Sequence, residues 1–309
     1  MGALDTPYAQ RVLVREGLLS RSRMAAMTSA GVQTGMAGCL TVYSAGIQSQ
    51  GPAPRCPRDD RKVSDMSAIA SQRSYGRAPD GLRPVKIERD VLKNAYGSCF
   101  IECGETKVLC AATIEDSVPG WMRGKGKGWV TAEYAMLPAS TAKRSPRETN
   151  GRKGRSQEIQ RLIGRSLRAA VDMKLLGECT VTVDCDVIQA DGGTRTASVT
   201  GAWIALHDAL ETWRKAGKVR SNPVFSQIAA VSVGMVDGRL LLDLDYHEDS
   251  RAEIDMNLVM NGNGEFVEVQ GTGERATFDR GRLDALLDLG QKGLDELLEL
   301  QRQAIAQEA

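Results

Sequence analysis

Residues 179–213 decide the fold, and they read CTVTVDCDVIQADGGTRTASVTGAWIALHDALETW. The first part alternates apolar and polar side chains as far as Gln189, and this period of two predicts a half-buried strand. The last part repeats apolar residues at helical spacing, and Gly217 marks the end of the predicted helix. The pair Gly192-Gly193 joins the two. The segment therefore predicts a strand, a tight turn and a helix in direct succession.

The residues before this segment predict a first β layer and a helix. Strands are expected at 98–103, 107–113 and 129–137, because apolar and polar residues alternate there. A helix is expected from Ser156, since its apolar residues keep i, i+3, i+4 spacing. The outer face of that helix is expected to carry Arg161, Arg165 and Arg168.

The residues after the segment predict two hairpins and a closing helix. Strands are expected at 228–236, 240–246, 254–260 and 265–270. The first two flank Asp237-Gly238, which is a strong hairpin signal. A Leu-rich helix begins at about Asp279. This order of elements predicts an α+β fold in which two βα halves stack helices against mixed sheets.

Residues 1–65 differ from the rest of the chain. They lack hydrophobic periodicity, are rich in Ser, Gly, Ala and Arg, and predict a disordered N-terminal extension. Few acids and scattered arginines are typical of an organellar transit peptide. The alternative, which we favour, is that Met66 is the natural start and residues 1–65 are a non-native upstream segment. The predicted folded domain is therefore 66–309.

Charge is segregated along the chain, although the formal net charge is only +1. Residues 121–168 hold twelve Lys and Arg against three acids, and such a block indicates a polyanionic partner. The loop 144–152 within it is predicted to contact phosphates without reading a base sequence. A merely solvated loop is less attractive at this charge density. The arginines of the neighbouring helix could extend this phosphate-binding surface, but an ordinary solvent-exposed helix face would carry such charges equally well.

The acids cluster further along the chain. Residues 237–255 hold seven acids against two arginines, and Asp243, Asp249 and Asp255 recur at every sixth position. Two of these carboxylates at one site could bind Mg²⁺, or one could donate a proton. Acids that only decorate a hairpin connection are commoner, and the pattern by itself favours that reading.

Several kinds of site are disfavoured by composition. The seven cysteines are odd in number, form no C-x-x-C pair and mostly lie in apolar runs, which argues against a disulfide framework or zinc site and fits a reducing compartment. The two histidines, His207 and His247, leave little for mechanisms built on Ser-His, Cys-His or His-rich metal sites. No apolar stretch approaches the roughly 20 residues that a membrane span needs.

The glycine turn is the strongest candidate for chemistry. Glycines let the backbone approach an anion closely, and the following helix N-terminus presents free N–H groups and a positive dipole. Thr194 adds a hydroxyl and Arg195 a bidentate fork. Arg155, just ahead of the other helix, could converge on the same anion. An ordinary turn with Thr194 as helix cap explains the glycines equally well, and for Arg155 alone a solvated loop residue is favoured.

Five stretches form a pattern in a fixed order. They are Arg73 to Pro84, GWVTAEYAMLP at 128–138, EIQRLIGR at 158–165, DCDVIQADGGTRTAS at 184–198, and EDS at 248–250 through DMN at 255–257. Together they closely resemble the bacterial ribonuclease PH family over essentially residues 70–305. One departure is that the stretch from Arg144 to Arg155 is about two residues shorter than the family pattern.

The resemblance implies the ribonuclease PH fold, a fold like domain 2 of ribosomal protein S5, shared with polynucleotide phosphorylase and the exosome ring. It implies that 66–309 is a catalytic domain that removes 3′-terminal nucleotides of tRNA precursors and other RNAs as nucleoside diphosphates. Inorganic phosphate would be the co-substrate and Mg²⁺ the cofactor. The implied assembly is a cytoplasmic homohexamer, a trimer of dimers, that binds neither DNA nor a membrane.

The resemblance also implies residue roles. It assigns phosphate binding to Arg155, Gly193, Thr194 and Arg195. It assigns metal binding or proton donation to Asp249 and Asp255, which with Arg195 form the expected catalytic set, and Asp243 is the reserve acid. It assigns RNA contacts to Arg144, Arg147 and Arg152, and Arg161 could extend that footprint.

Two other functions stay open at this level. A non-catalytic RNA-binding ring subunit of an exosome-like assembly would keep the fold and the basic face, but it would not need Thr194, Arg195, Asp249 and Asp255. A hydrolytic nuclease would activate water and would not depend on phosphate.

Overall fold

The structure, a computed structural model, describes residues 73–148 and 154–307. The strands are β1 (Val85–Arg89), β2 (Gly97–Cys103), β3 (Thr106–Glu115), β4 (Trp129–Met136), β5 (Thr180–Gln189), β6 (Ile228–Val236), β7 (Arg239–Leu242), β8 (Ile254–Asn261) and β9 (Phe266–Gly273). The helices are α1 (Gly154–Arg168), α2 (Met173–Leu176), α3 (Thr194–Lys215), α4 (Tyr246–Asp249) and α5 (Arg280–Ala306). The expectation for residues 1–65 lies outside the described residues.

The first sheet has the order β1-β2-β3-β5-β4 and contains the strand that leads to the glycine turn. Adjacent strands of this sheet are antiparallel, except that β4 and β5 are parallel, with Trp129 opposite Thr180. A parallel pair needs a crossover, and α1 and α2 lie in the connection between these two strands. The alternation predicted for β5 is confirmed, since its buried residues are Val181, Val183, Cys185 and Val187.

The second sheet has the order β7-β6-β8-β9 and is antiparallel throughout. The predicted α+β architecture is confirmed, with the difference that only the first sheet is mixed. The reason is connectivity: β6 and β7, and again β8 and β9, are joined by tight hairpins, which place consecutive strands antiparallel.

Helix α3 lies between the two sheets. The sequence predicts one apolar face, but its first four turns are buried nearly all round, because β2 and β3 cover one side and β6 another. Glycines permit the close approach: a Cβ at Gly97 would overlap the Ala205 carbonyl, and one at Gly201 would lie 2.7 Å from Ile101 Cγ2. The Ala230 N–H of β6 donates to Thr200 Oγ1 at 3.1 Å. The helix that follows the glycine turn is therefore the centre of the core.

The predicted strand at 240–246 is too long, because β7 ends at Leu242. Asp243 adopts a left-handed conformation with φ of 55°, which breaks the strand. Asp245 then caps α4: its side chain accepts from the Glu248 N–H, and the Glu248 side chain accepts from the Asp245 N–H. The stretch predicted as a strand therefore ends in a turn, and a short helix follows it. This arrangement places Asp249 near the glycine turn.

The predicted outward arginine stripe on α1 holds for two of its three members. Arg161 and Arg165 are exposed, and Arg165 pairs with Glu268 at 2.7 Å. Arg168 instead lies 4.5 Å from the centre of the Trp129 ring and donates to the Val130 carbonyl at 2.9 Å. Burial lowers the pKa of Arg168. This arginine therefore packs against β4 rather than facing a partner.

No helix in the described part of the chain is long and apolar enough to cross a bilayer.

Candidate active site

The glycine turn has a backbone shape that strongly favours glycine. Gly192 and Gly193 have φ of 73° and 62°, in the left-handed region. A Cβ at Gly192 would lie 2.6 Å from the Leu244 carbonyl oxygen, and one at Gly193 would lie 2.8 Å from Arg83 Nη2. Both glycines are thus required by conformation and by space.

The carbonyl groups of the turn are bound by side chains. Arg83 Nη1 donates to the Asp191 carbonyl and the Thr106 hydroxyl donates to the Gly192 carbonyl, both at 2.6 Å. Thr106 also accepts from the Asp191 N–H at 2.9 Å. No described side chain caps the first turn of α3 after Gly193. Its N–H groups are therefore available to an anion, as at other helix N-termini that bind phosphate.

Asp243, the reserve acid, is held in a buried ion pair. Its buried carboxylate accepts from the Arg83 backbone N–H at 2.8 Å and from Nε and Nη2 at 3.0 and 2.7 Å. Burial by itself would raise the pKa of Asp243, but the charge and hydrogen bonds of Arg83 hold it below its usual range. This carboxylate fixes Arg83, which in turn holds the glycine turn. The structure thus gives Asp243 a positioning role, and its catalytic role stays a prediction.

Thr194 and Arg195 follow the turn on α3 and are both held by neighbours. The buried Thr194 hydroxyl lies 2.9 Å from the Tyr134 hydroxyl, and either can be the donor. When Tyr134 donates, the Thr194 proton remains free for an anion. Arg195 Nη1 donates to Gln270 Oε1 at 2.9 Å and lies 3.7 Å from Glu158 Oε1. The second nitrogen of the Arg195 fork makes no hydrogen bond to a described residue.

Arg155 reaches the same place from the first turn of α1. Its positive charge acts on Tyr134 and on Asp249, and so does that of Arg195. Burial raises the pKa of Tyr134, while its hydrogen bond to Thr194 and the two arginines act in the opposite direction. Arg155 and Arg195, at the starts of two helices, therefore act on the same two groups. The sequence by itself favours a solvated loop position for Arg155, and only the family resemblance implies a shared site.

Asp249 and Asp255 form a coupled carboxylate pair at the end of α4 and the start of β8. Burial raises the pKa of Asp249, although Arg155 and Arg195 oppose the shift. Burial and then the charge of Asp249 raise the pKa of Asp255 to about 6. Glu274 adds negative charge to both. The structure thus brings the predicted acids together and places them beside the two arginines.

The pair fits a site for a hard divalent cation. Mg²⁺ usually takes one or two protein carboxylates and completes its shell with water and substrate phosphates. Among the described residues, no three or more His, Cys, Asp and Glu side chains come together in a way that could hold a metal ion, so this pair would supply at most two protein ligands. Mutual repulsion within the pair would be relieved by a cation or by a shared proton.

The basic loop is only partly described. Arg144 and Arg147 are exposed, and the charge of Arg147 opposes the burial that raises the pKa of Asp186 on β5. Arg147 therefore lies beside the open face of the first sheet. Arg152 lies outside the described residues, and Arg161 is exposed on α1. The RNA-contact roles of these four arginines stay predictions.

Several residues that shape the site were not singled out from the sequence. Tyr134 positions Thr194, Gln270 positions Arg195, and Arg83 with Thr106 positions the turn. Tyr134 could have been noticed in the sequence. It is the last of the alternating buried residues of β4, and its buried hydroxyl needs a hydrogen-bond partner.

The raised pKa of Asp255 predicts a stability effect. A carboxylate whose folded pKa lies above its unfolded value of about 4 destabilises the folded state when charged, and the penalty disappears as pH falls through the window from about 6 to 4. In EDTA at pH 8, Asp255→Asn should raise the free energy of unfolding by ~1–2 kcal/mol. The gain should vanish near pH 4. Urea unfolding across this range measures it, with exposed Asp237→Asn as control; a pH-independent gain would contradict the assigned cause.

Comparison with known proteins agrees with this geometry. Residues 81–210 match the 3′ exoribonuclease family, domain 1, and residues 226–293 match domain 2 of the same family. Ribonuclease PH of Corynebacterium kroppenstedtii is 55% identical over 236 residues, which cover 76% of this chain and 93% of the relative. Ribonuclease PH of Corynebacterium glutamicum is 54% identical over 241 residues, covering 77% and 98%.

A solved structure shows the same fold at low identity. The Archaeoglobus fulgidus exosome with RNA bound to the active site has a chain that superposes with a TM-score of 0.65 at 22% identity, covering 77% of this chain and 96% of that one. The fold and the sequence matches define a 3′ exoribonuclease. The chain belongs to the ribonuclease PH family, and the resemblance found in the sequence motifs is confirmed.

Proposed function

We propose that this exoribonuclease is phosphorolytic: it uses inorganic phosphate to remove nucleotides from the 3′ ends of tRNA precursors and other RNAs, and it releases nucleoside 5′-diphosphates. The observation that carries the proposal is the convergence of Arg155, Arg195 and the uncapped N-terminus of α3 beside the Asp249/Asp255 pair. Such a site binds an anion on one side and a cation or proton on the other.

The phosphate is held by the N–H groups after Gly193 and by the two arginine forks. Its oxygen attacks the terminal phosphodiester in line, a new P–O bond forms, and the bond to the 3′ oxygen of the penultimate nucleotide breaks. The electron pair leaves with that oxygen, which takes up one proton. A carboxyl of the Asp249/Asp255 pair supplies this proton where the pair binds no cation, and a water molecule supplies it where the pair does.

A divalent cation held by Asp249 and Asp255 would offset the charge that develops on the phosphoryl oxygens. The protein residues otherwise bind and orient, since no side chain forms a covalent bond to the RNA. Because the reaction exchanges one phosphate linkage for another, it is reversible, and nucleoside diphosphates should also be added to RNA ends.

We further propose a homohexamer built as a trimer of dimers in the cytoplasm, with RNA as the macromolecular substrate and neither DNA nor membrane as partner. The edge strand β9 exposes Phe266 and Val269, which is consistent with a subunit contact. Five described cysteines are buried and unpaired, which is consistent with a reducing compartment.

A tRNA with an extended 3′ end, incubated with Mg²⁺ and with or without inorganic phosphate, tests the reaction. Chromatography should show nucleoside diphosphates only when phosphate is present. Monophosphates formed without phosphate would establish a hydrolytic nuclease instead. RNA binding without any product would establish the non-catalytic ring subunit. Size measurement in solution tests the hexamer separately.

A further inference from the structure

An exposed aromatic residue stands next to the glycine turn and has no part in the chemistry described above. Tyr246 is the first residue of α4 and is 60% exposed. Its backbone N–H donates to Asp191 Oδ1 at 3.4 Å, and a Cβ at Gly192 would lie 2.8 Å from its nitrogen. The backbone of Tyr246 is therefore in contact with the glycine turn.

The same short helix carries Asp249 three residues later. Residues three apart in a helix lie on neighbouring positions of one face. Asp249 is influenced by Arg155 and Arg195. The backbone of Tyr246 thus contacts the glycine turn, and the same helix carries Asp249 of the carboxylate pair.

The support beneath Tyr246 is unusually well bonded for a surface segment. The capping box fixes the turn before it, and Glu248 accepts from Arg73 Nε at 2.7 Å and from Arg77 Nη2 at 2.9 Å. These ion pairs are buried. A rigid backbone that presents a large exposed ring loses little conformational entropy when a ligand covers the ring.

No contact with the described residues explains why an aromatic ring stands at position 246. The Tyr246 hydroxyl makes no hydrogen bond to any of them, and its one described aromatic neighbour is His247, with ring centroids 6.1 Å apart. An exposed ring that packs on little contributes little to folding.

We propose that Tyr246 stacks against the base of the 3′-terminal nucleotide and so positions the RNA end for attack. The inference rests on the proposed phosphorolytic function of the neighbouring site. The terminal nucleoside is the part of the RNA that stays attached to the attacked phosphorus, and it becomes the nucleoside of the released diphosphate. Because the backbone of Tyr246 contacts the glycine turn and its ring is exposed, the ring is in reach of this base. Stacking suits an enzyme that must accept any base, because every base has a π face.

The expected size of the effect follows from base stacking on aromatic side chains, about 1–3 kcal/mol per base, or roughly 5- to 150-fold in affinity. Tyr246→Ala should raise KM for RNA within this range and should raise KM for ADP in the reverse reaction by a similar factor. KM for phosphate should stay unchanged. Tyr246→Phe should behave as the parent enzyme, because it keeps the ring.

A binding cycle tests the contact without relying on turnover. Affinity is measured by fluorescence anisotropy in EDTA without phosphate, for the parent protein and Tyr246→Ala, with RNA that carries or lacks the terminal base. Removing the base should weaken binding to the parent protein by at least 5-fold and should leave binding to Tyr246→Ala unchanged. Phe225→Ala, which removes another exposed ring, is the matched control and should behave as the parent protein.

Three results would overturn the assignment: equal losses in both proteins on removal of the terminal base, a defect in Tyr246→Phe as large as in Tyr246→Ala, or a raised KM for RNA with an unchanged KM for ADP. The last result would mean that the ring contacts an upstream base. Failure of phosphate-dependent product release in the parent enzyme would refute the proposed function instead, and the binding cycle would still decide the role of Tyr246.

Discussion

Replacing Arg195 with alanine should lower kcat/KM for inorganic phosphate by about two to three orders of magnitude. The Arg195 guanidinium is held by Gln270 at 2.9 Å and lies at the start of α3, where the proposed phosphate binds. Its loss removes a charged, two-pronged donor from a partly buried position that water replaces poorly. Initial rates over a range of phosphate concentrations measure the effect.

Two further variants make this result specific. Arg195→Lys keeps the charge but not the fork, and it should recover only part of the activity. Arg165→Ala removes an exposed arginine paired with Glu268 and should leave the phosphate dependence unchanged. Retention of tRNA should be largely intact in Arg195→Ala. If tRNA binding falls as severely as activity, Arg195 holds RNA rather than phosphate.

Replacing Arg83 with methionine should lower the free energy of unfolding by ~3–5 kcal/mol, because it removes the hydrogen-bonded partner of the buried Asp243 carboxylate and among the described residues leaves only Arg77, 3.7 Å away. Arg83 is the main group that lowers the pKa of Asp243, so without it the carboxyl would also take up a proton more readily. Urea unfolding followed by tryptophan fluorescence measures the loss.

The double variant Arg83→Met with Asp243→Leu separates two effects of Arg83: neutralising the buried Asp243 carboxylate and holding the glycine turn. Removing both charges should restore much of the stability, since replacing a complete buried ion pair by apolar residues is often nearly neutral. Phosphate affinity should stay reduced, because the Asp191 carbonyl still lacks the Arg83 donor. A double variant as unstable as the sum of the single losses would show that the pair does not act as a unit.

The elements around the glycine turn could be predicted because their signals are local. The alternation of β5, the helical spacing of α3 and the glycines between them lie within 35 consecutive letters, and the structure reproduces each. Local sequence weighs the turn's preference for an anion evenly against a simple helix cap. The family resemblance favours the anion, and the charges of Arg155 and Arg195 on nearby Asp249 add structural support.

The roles of the acids could not be separated in this way. Asp243, Asp249 and Asp255 look equivalent in sequence, and they differ only in what the fold places next to them. The partner of Asp243 is Arg83, 160 residues earlier in the chain, and no local pattern predicts that pair. The strand predicted through Asp243 was too long for the same reason, because a distant ion pair and a capping box override the local alternation.

Position in the core gives α3 one more property. Segments of a protein that exchange their amide hydrogens fastest are those that can open on their own, whereas a helix enclosed by two sheets opens only when most of the molecule does. The proposed phosphate site lies at the N-terminus of such a helix, and we expect amide exchange in the buried turns of α3 to be among the slowest in the described part of the chain. Substitutions that loosen the packing of Gly97 or Gly201 against their neighbours should therefore also change the position of Thr194 and Arg195 at the start of α3. Catalytic activity and stability are then expected to change together.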